Sequence, residues 1–431
     1  MRRLLADTRP LATPDFRHLW VANIVTVIGA QLTVVAVPMQ IYALTKSSGY
    51  VGLTGLFGLV PLIAFGLWGG ALADVFDRRK ILLVTTVGLI VTAFLFFAQA
   101  ALGLNNVWVL LGLFSLQQAF FAVNQPTRSA VLPRILPLAQ LPAANSLNMT
   151  VMQAGAIVGP MLGGILVPVL GFSLMYLLDG LSLLTTLWAV WRLPALVPER
   201  VDGDEKPTVG LRSIVDGLSY LRGHKVLLMS FVVDLIAMIF GMPRILFPQI
   251  AHESFGGRVD GGWQVALLFA SIPLGAVLGG VFSGWVSRVN RQGLAVVICI
   301  VVWGAAVAVA GFALFGAHGT WFPILPVVVA ALVVGGAADM VSSAFRMTML
   351  QSAGDDSVRG RLQGVFTVVV AGGPRLADVS HGWVAAAAGT AVATAGGGVA
   401  VVVLTIVAAL AVPVFVRYRV SPRIEDTTRL P

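Results

Sequence analysis

Six ionisable side chains interrupt otherwise apolar runs of this chain: Asp179, Asp234, Arg244, Asp339, Arg375 and Asp378. At the centre of a bilayer-spanning helix such a group costs roughly 2.5–3.5 kcal/mol on insertion scales, so each needs a partner, a water-filled cavity or a functional role. The chemistry open to a carboxyl in that setting is uptake and release of a proton. Asp234 lies about 8 residues, or ~12 Å, into its apolar run and is the first candidate, with Asp179 second. Both are placed at a seam between two halves of the chain. Arg375 and Asp378 complete the coupling set, although their spacing of one helical turn on one face also makes a fixed ion pair. Asp339 stands near the end of its run, within reach of Arg346. Arg244 stands near the opposite end of its own run, where a long side chain snorkels to the interface.

Other chemistries find no footing. The chain of 431 residues is 58% hydrophobic and 11% charged, against roughly 45–50% and about 25% for a soluble domain, which excludes a water-soluble enzyme. A single cysteine and five scattered histidines offer no metal-ligand spacing and no disulfide framework. No G-x-x-x-x-G-K-[ST] loop is present, so ATP hydrolysis is not expected of this polypeptide. The reading is of a non-enzyme without metal or cofactor.

These residues must be positioned by helices. Windows of about 20 apolar residues give twelve spans, at 18–43, 51–73, 81–102, 107–126, 143–168, 172–192, 226–248, 262–286, 293–315, 321–345, 361–386 and 389–416. The predicted fold is therefore all-α and integral to the membrane, with two pseudo-symmetric six-helix halves around a central cavity. The halves are 1–192 and 226–416, joined by the charged stretch 193–225. Within that linker Leu211, Ile214, Val215, Leu218 and Leu221 fall at helical spacing and suggest a short amphipathic helix. Residues 417–431 form a tail.

The N-terminal stretch is basic and lacks a signal-peptide core, so the chain is threaded from a cytoplasmic start. That threading puts 24 of the 28 Lys and Arg on the cytoplasmic side and leaves only Lys46 and Arg258 outside, as the positive-inside rule requires. The formal charge of +9 is then an orientation signal toward inner-leaflet lipid and does not call for nucleic acid. Both termini are expected in the cytoplasm, with the chain in the inner membrane of a bacterium.

Two loops support a duplication. Gly69-Gly70 followed by Arg78 recur 210 residues later as Gly279-Gly280 and Arg288. Over nearly its whole length the chain resembles the major facilitator superfamily. Its loop signature stands here as Gly70-Ala71-Leu72-Ala73-Asp74-Val75-Phe76-Asp77-Arg78-Arg79-Lys80. The resemblance implies that Gly70, Asp74, Arg78 and Arg79 latch the cytoplasmic side in one conformation. Val75 and Asp77 replace the Arg and Gly often found there.

In the fifth span, Gly155, Gly159, Pro160, Gly163 and Gly164 match the G-x-x-x-G-P-x-x-G-G motif of the exporter branches. Small residues there permit close helix contact, and the proline bends the helix. The eighth span, with Pro273, Gly275, Gly279 and Gly280, reads as its counterpart. The finer resemblance is to the enterobactin-exporter and macrolide-efflux-like branch. It is carried by Phe16-Arg17-x-Leu19-Trp20, by Asn124-Gln125-Pro126-Thr127-Arg128 with Leu141-Pro142-Ala143-Ala144-Asn145, and by Gly372-Gly373-Pro374-Arg375-Leu376. Where many proton antiporters carry an arginine in the fourth span, this chain has Ser115-Leu116-Gln117-Gln118-Ala119.

Gln31, Gln40, Gln117, Gln118, Asn124 and Gln153, with Phe231 and Met238, are expected to line a large, mostly apolar cavity suited to amphipathic solutes. Together with the resemblance to the exporter branches, this implies export of a hydrophobic or amphipathic small molecule, a drug or a siderophore, by alternating access in exchange for protons. The partners are then the solute, protons and membrane lipid, acting on one copy of the chain. A lysolipid or uptake permease of the same fold, and a receptor or scaffold that has lost transport, remain the alternatives.

Overall fold

The computed structural model describes residues 7–196, 219–221, 223–352 and 356–419. Among the described residues twelve long helices carry the fold: α1 (Pro14–Thr45), α2 (Ser48–Val75), α3 (Arg78–Ala101), α4 (Val107–Ile135), α5 (141–170), α6 (172–191), α7 (Lys225–Gly241), α8 (Trp263–Val281), α9 (Gln292–Leu314), α10 (Ile324–Ser352), α11 (Asp356–Ala388) and α12 (Thr390–Ala411). α5 and α6 run on from one another and are separated only by Gly171, whose φ of 74° and ψ of 168° break the helical path. That conformation suits a residue without Cβ. Ten helices, with α5 and α6 taken as one, are long and apolar enough to cross a membrane among the described residues.

Local sequence sets the ends. Asn106 caps α4 by accepting from the Trp108 N–H at 2.9 Å, and Asp77 caps α3 by accepting from the Arg79 N–H at 3.0 Å. Lys46 ends α1 in the left-handed conformation, its N–H bonded to the Tyr42 carbonyl at 2.8 Å. Apolar side chains such as Trp68, Val84, Trp108, Phe312 and Trp383 stay exposed on the outside, as expected of a surface meeting lipid.

The packing is a double pattern. α1 lies against α5 and α6, α2 against α4, and α3 against α4 and α6. In the second half α7 lies against α11 and α12, α8 against α10, and α9 against α10 and α12. Adding six to each helix number of the first set gives the second. The halves meet in the same symmetric way, through α2 on α11 and α5 on α8.

That symmetry corrects one sequence expectation. The equivalent of α5 is α11, with its Gly372-Gly373-Pro374 run, whereas α8 is the equivalent of α2. The glycines of α8 accordingly face their own half: a Cβ on Gly275 would strike the Val333 carbonyl of α10, and one on Gly279 would come 2.7 Å from the Ala337 carbonyl. The linker residues 197–218 and 222 and the tail from 420 onward, including the expected amphipathic helix up to Leu218, lie outside the described residues. Leu221, the last residue of that pattern, is buried with Leu227, Phe231 and Leu350.

At the end of the bundle opposite the chain termini, here called distal, the halves are in direct contact. A Cβ on Gly52 would stand 2.8 Å from the Asp378 carbonyl and 3.0 Å from Gly382 Cα, and one on Gly164 would stand 2.8 Å from both Cβ and N of Ala266. Ser48 Oγ donates to the Gly382 carbonyl at 3.2 Å, Tyr42 Oη donates to Glu253 at 2.8 Å, and the Gly262 N–H donates to the Gly164 carbonyl at 2.8 Å. Backbone-to-backbone approach of this kind is what glycine at a helix crossing provides. The distal end is closed.

Candidate functional site

Between the halves, below the distal closure, lies a cavity of about 340 Å³, within the range of small-molecule sites. Its walls are mostly apolar: Val34 and Pro38 from α1, Phe114 from α4, Pro160 from α5, and Phe269 and Pro273 from α8. Its charged lining residues are Arg244, Arg375 and Asp378.

Arg244 reaches the cavity because Pro243 breaks the helix after α7. Met242, with φ of −110° and ψ of 79°, leaves the helical path, and Pro243–Leu246 continues as a 3₁₀ turn. The guanidinium then donates from Nε to Asp378 Oδ1 at 3.3 Å and from Nη2 to Oδ2 at 3.2 Å. Such a forked arrangement is the strong form of an arginine–carboxylate pair. Arg244 therefore does not snorkel outward, as its position near the end of the seventh span suggested; it is the main partner of Asp378.

Arg375, one turn before Asp378 on α11, stays 3.8 Å from that carboxylate. It turns instead to the other half, where Nη2 donates to Gln118 Oε1 at 3.0 Å and the guanidinium stacks 5.2 Å from the Phe114 ring centroid. The expected one-turn ion pair is thus the weaker of two contacts to Asp378. Arg375 is a bridge from α11 to α4.

The first two coupling candidates, Asp234 and Asp179, lie inside the halves and not at the seam. Asp234 on α7 is paired with Arg346 on α10, both almost completely buried, and Asp339 stands 3.8 Å from the same guanidinium. Arg346, counted with the loop after the tenth span, belongs to a helix that continues to Ser352. Asp179 on α6 is 1% exposed and accepts a 2.6 Å hydrogen bond from Thr33 Oγ1 of α1. Its Oδ1 is buried without a hydrogen-bond partner, and no cation pairs with it among the described residues. Gly29 makes room beside it for Ser182.

Of the polar residues expected in the cavity, Gln31 lines it and Gln118 touches it through Arg375. The others find partners elsewhere in this conformation. Gln40 is closed in a triad, accepting from Tyr176 Oη at 2.7 Å and from Gln99 at 3.1 Å. Asn124 donates to Thr85 at 2.8 Å on α3. Phe231 packs with Leu221, Leu227 and Leu350, and Met238 lies against Gly373, where an added Cβ would stand 2.9 Å from its sulfur. Gln117 is half-buried and Gln153 exposed, and neither is among the lining residues.

The glycine motif of α5 is a docking stripe. Cβ atoms added to Gly155 and Gly159 would strike Val27 and Gln31 of α1, and one on Gly163 would come 3.3 Å from Val35. Spaced by four, these glycines face one neighbour, while Gly164, one position round, faces Ala266 of the other half. Of the loop signature, Arg78 Nη1 donates to the Ala130 carbonyl at 3.1 Å and Arg79 Nη2 to the Trp191 carbonyl at 2.5 Å. Asp77 also accepts from the Leu196 N–H at 2.9 Å. These bonds tie the ends of α3, α4 and α6 together within the first half. The side chains of Gly70 and Asp74 lie outside the described ones.

Sequence reading missed Arg346 as the partner of Asp234, because 112 positions separate them. A signal existed: Val341, Phe345 and Met349, all buried, continue the helical period past the end of the apolar run.

Two six-helix halves, symmetric contacts and a cavity at their seam are the architecture of a membrane transporter of the major facilitator superfamily, a non-enzymatic class. The chain belongs to the family described as transmembrane secretion effector, MFS_3, whose model matches residues 6–425. It is 31% identical over 363 residues to the enterobactin exporter EntS of Escherichia coli O1:K1 / APEC, covering 82% of this chain and 81% of the relative. It is 30% identical over 368 residues to EntS of Shigella boydii serotype 18, with the same coverage. Among solved structures, a POT family transporter in complex with 5-aminolevulinic acid shares the fold with a TM-score of 0.73 at 13% identity, over 93% of this chain and 96% of that one. A bacterial homologue of the human lysosomal transporter Spinster does so with a TM-score of 0.68 at 16% identity, over 96% and 100%.

Proposed function

We propose that this protein exports a hydrophobic or amphipathic small molecule, of the siderophore or drug type, from the cytoplasm by alternating access in exchange for protons. The observation that carries the reading is the mostly apolar cavity at the seam of the two halves, reached by polar groups from both and closed at the distal end. The kinship with enterobactin exporters supports a siderophore as the solute. The basic loops and termini support a bacterial inner-membrane location with both ends of the chain in the cytoplasm, which makes the distal end the outer one. The distal closure is then the state that loads from inside.

The carboxyl that exchanges a proton in this reading is Asp179. Arg346 holds the charge of Asp234 and Arg244 holds that of Asp378, whereas Asp179 has one hydroxyl and, among the described residues, no cation. This reading reverses the order expected from depth alone. The test is uptake of enterobactin, and separately of a macrolide, into everted membrane vesicles with an imposed proton gradient. Gradient-dependent accumulation above vesicles lacking the protein supports export; no accumulation of either solute counts against it.

A further inference from the structure

The charges that line the cavity do not cancel. Arg244 and Arg375 contribute two positive charges and Asp378 one negative, and the remaining polar lining groups, Gln31 and Thr54, are neutral. Asp378 has only 2% of its side chain exposed, while Arg375 keeps 20% and Arg244 36%. The carboxylate is thus buried behind the two guanidiniums, and the cations face the space. Arg244 commits Nε and Nη2 to Asp378, and Arg375 commits Nη2 to Gln118; each retains further N–H groups. A cation in a low-dielectric cavity without a counter-anion is costly, and the lining carries one more cation than anion. The surrounding Phe114 and Phe269 with Pro38 and Pro160 ask for an aromatic or otherwise apolar body attached to it.

We propose that the cavity is an anion-recognition site. Arg244 and Arg375 together receive the single negative charge of an otherwise aromatic or apolar solute, and Asp378 is the internal carboxylate that occupies Arg244 in its absence. Arg375 makes this recognition a property of both halves, since the same guanidinium is held by Gln118 and Phe114 of α4. Amphipathic cations are disfavoured by the same two arginines. The inference deepens the export reading by naming the charge class of its solute, and it rests on that reading for transport but not for binding.

Equilibrium binding to the full chain in zwitterionic phosphatidylcholine nanodiscs tests it, read by fluorescence of two probes with one scaffold. These are anilinonaphthalene sulfonate, an anion, and its uncharged parent N-phenylnaphthylamine. The anion is expected to bind about tenfold tighter than the neutral probe, the range of a charge-assisted hydrogen bond. Arg375→Gln and Arg244→Gln each remove most of that preference, Arg375→Lys keeps it, and Asp378→Asn preserves or increases it. Melting temperature and gel-filtration profile identify any variant that has failed to fold, and Arg375→Lys then carries the comparison.

Equal affinities in the unaltered protein, or a preference that survives both Gln variants, would overturn the proposal. Phosphatidylglycerol added to the nanodiscs is expected to leave anion affinity within about twofold, because a loss of about tenfold would hand the site to a lipid headgroup and overturn the solute assignment. Absence of vesicle transport with the binding preference intact would instead sink the export reading and leave this one standing.

Discussion

The backbone N–H of Gly262, the residue that caps α8, donates to the carbonyl oxygen of Gly164 in α5 at 2.8 Å. That carbonyl is free because residue 168, four positions on, is a proline inside the α5 segment and has no N–H to return. A Cβ on Gly261 would stand 2.5 Å from Met39 Cε and 3.2 Å from Pro168 Cδ, and its φ of 129° is one that a side chain resists. A freed acceptor on one half and a glycine pair on the other therefore make the α5–α8 part of the distal seal.

Enlarging Gly164 should open that seal. Its Cβ would meet Ala266 Cβ and N at 2.8 Å, and overpacking of this order costs about 1–3 kcal/mol, charged only to the closed state. In a Cys299→Ser background, Met39→Cys is expected to react with a membrane-impermeant maleimide about tenfold faster when Gly164→Ala is added. Unchanged labelling would mean that the Gly164 contact does not hold the distal end shut.

The rest of the stripe should behave differently, because its neighbour is in the same half and does not part from it. Gly155→Ala and Gly159→Ala place a Cβ into Val27 and Gln31, whereas Gly163→Ala meets Val35 at 3.3 Å, where a small adjustment suffices. Thermal unfolding in detergent should show losses of about 1–3 kcal/mol for the first two and under about 1 kcal/mol for the third. Labelling of Met39→Cys should not rise in any of them. Equal losses at all three positions would contradict the packing described.

The contrast shows what the sequence held and what it did not. The all-helical membrane fold and its two similar halves were legible because each is a local pattern of period or spacing. Arg244 was misplaced because its orientation depends on a single break at Met242–Pro243, which hydropathy does not register. Gln40 and Asn124 were assigned to the cavity because a polar residue in an apolar run has two solutions, a cavity or a polar neighbour. The neighbours, Tyr176 with Gln99 and Thr85, are 136, 59 and 39 positions away. Asp179 and Asp234 are the same case with a charge: depth said that each needs a partner, and only the fold says that one has an arginine and the other a threonine.

The Asp234–Arg346 pair should matter most when it is half removed. With Arg346 only 6% exposed and Asp339, 3.8 Å away, as its one other carboxylate among the described residues, Asp234→Ala leaves a buried cation with the weaker of its two partners, a loss of about 3 kcal/mol. Asp234→Asn combined with Arg346→Gln removes both charges and should recover most of that stability. The midpoint of denaturation for the single and double variants measures the coupling. A double variant no more stable than Asp234→Ala would show that the pair is not what holds α7 to α10.

Asp179 and Asp234 also separate in transport. Were Asp234 the exchanging carboxyl, its proton would have to displace Arg346, leaving that buried guanidinium on each cycle with only the longer, 3.8 Å contact to Asp339. Asp179 demands no such displacement: Thr33 can hold its carboxyl in either protonation state, since a hydroxyl both donates and accepts. Asp179→Asn keeps the shape and the hydrogen bond but cannot ionise. It should abolish the acceleration of solute efflux by an imposed proton gradient, a drop of about tenfold or more, while solute–solute counterflow, which moves no net proton, continues near the unaltered rate. Asp234→Asn should lower yield and stability more than it lowers gradient dependence. Full gradient dependence in Asp179→Asn, with its loss in folded Asp234→Asn, would return the proton to Asp234 and require Arg346 to swing away during transport.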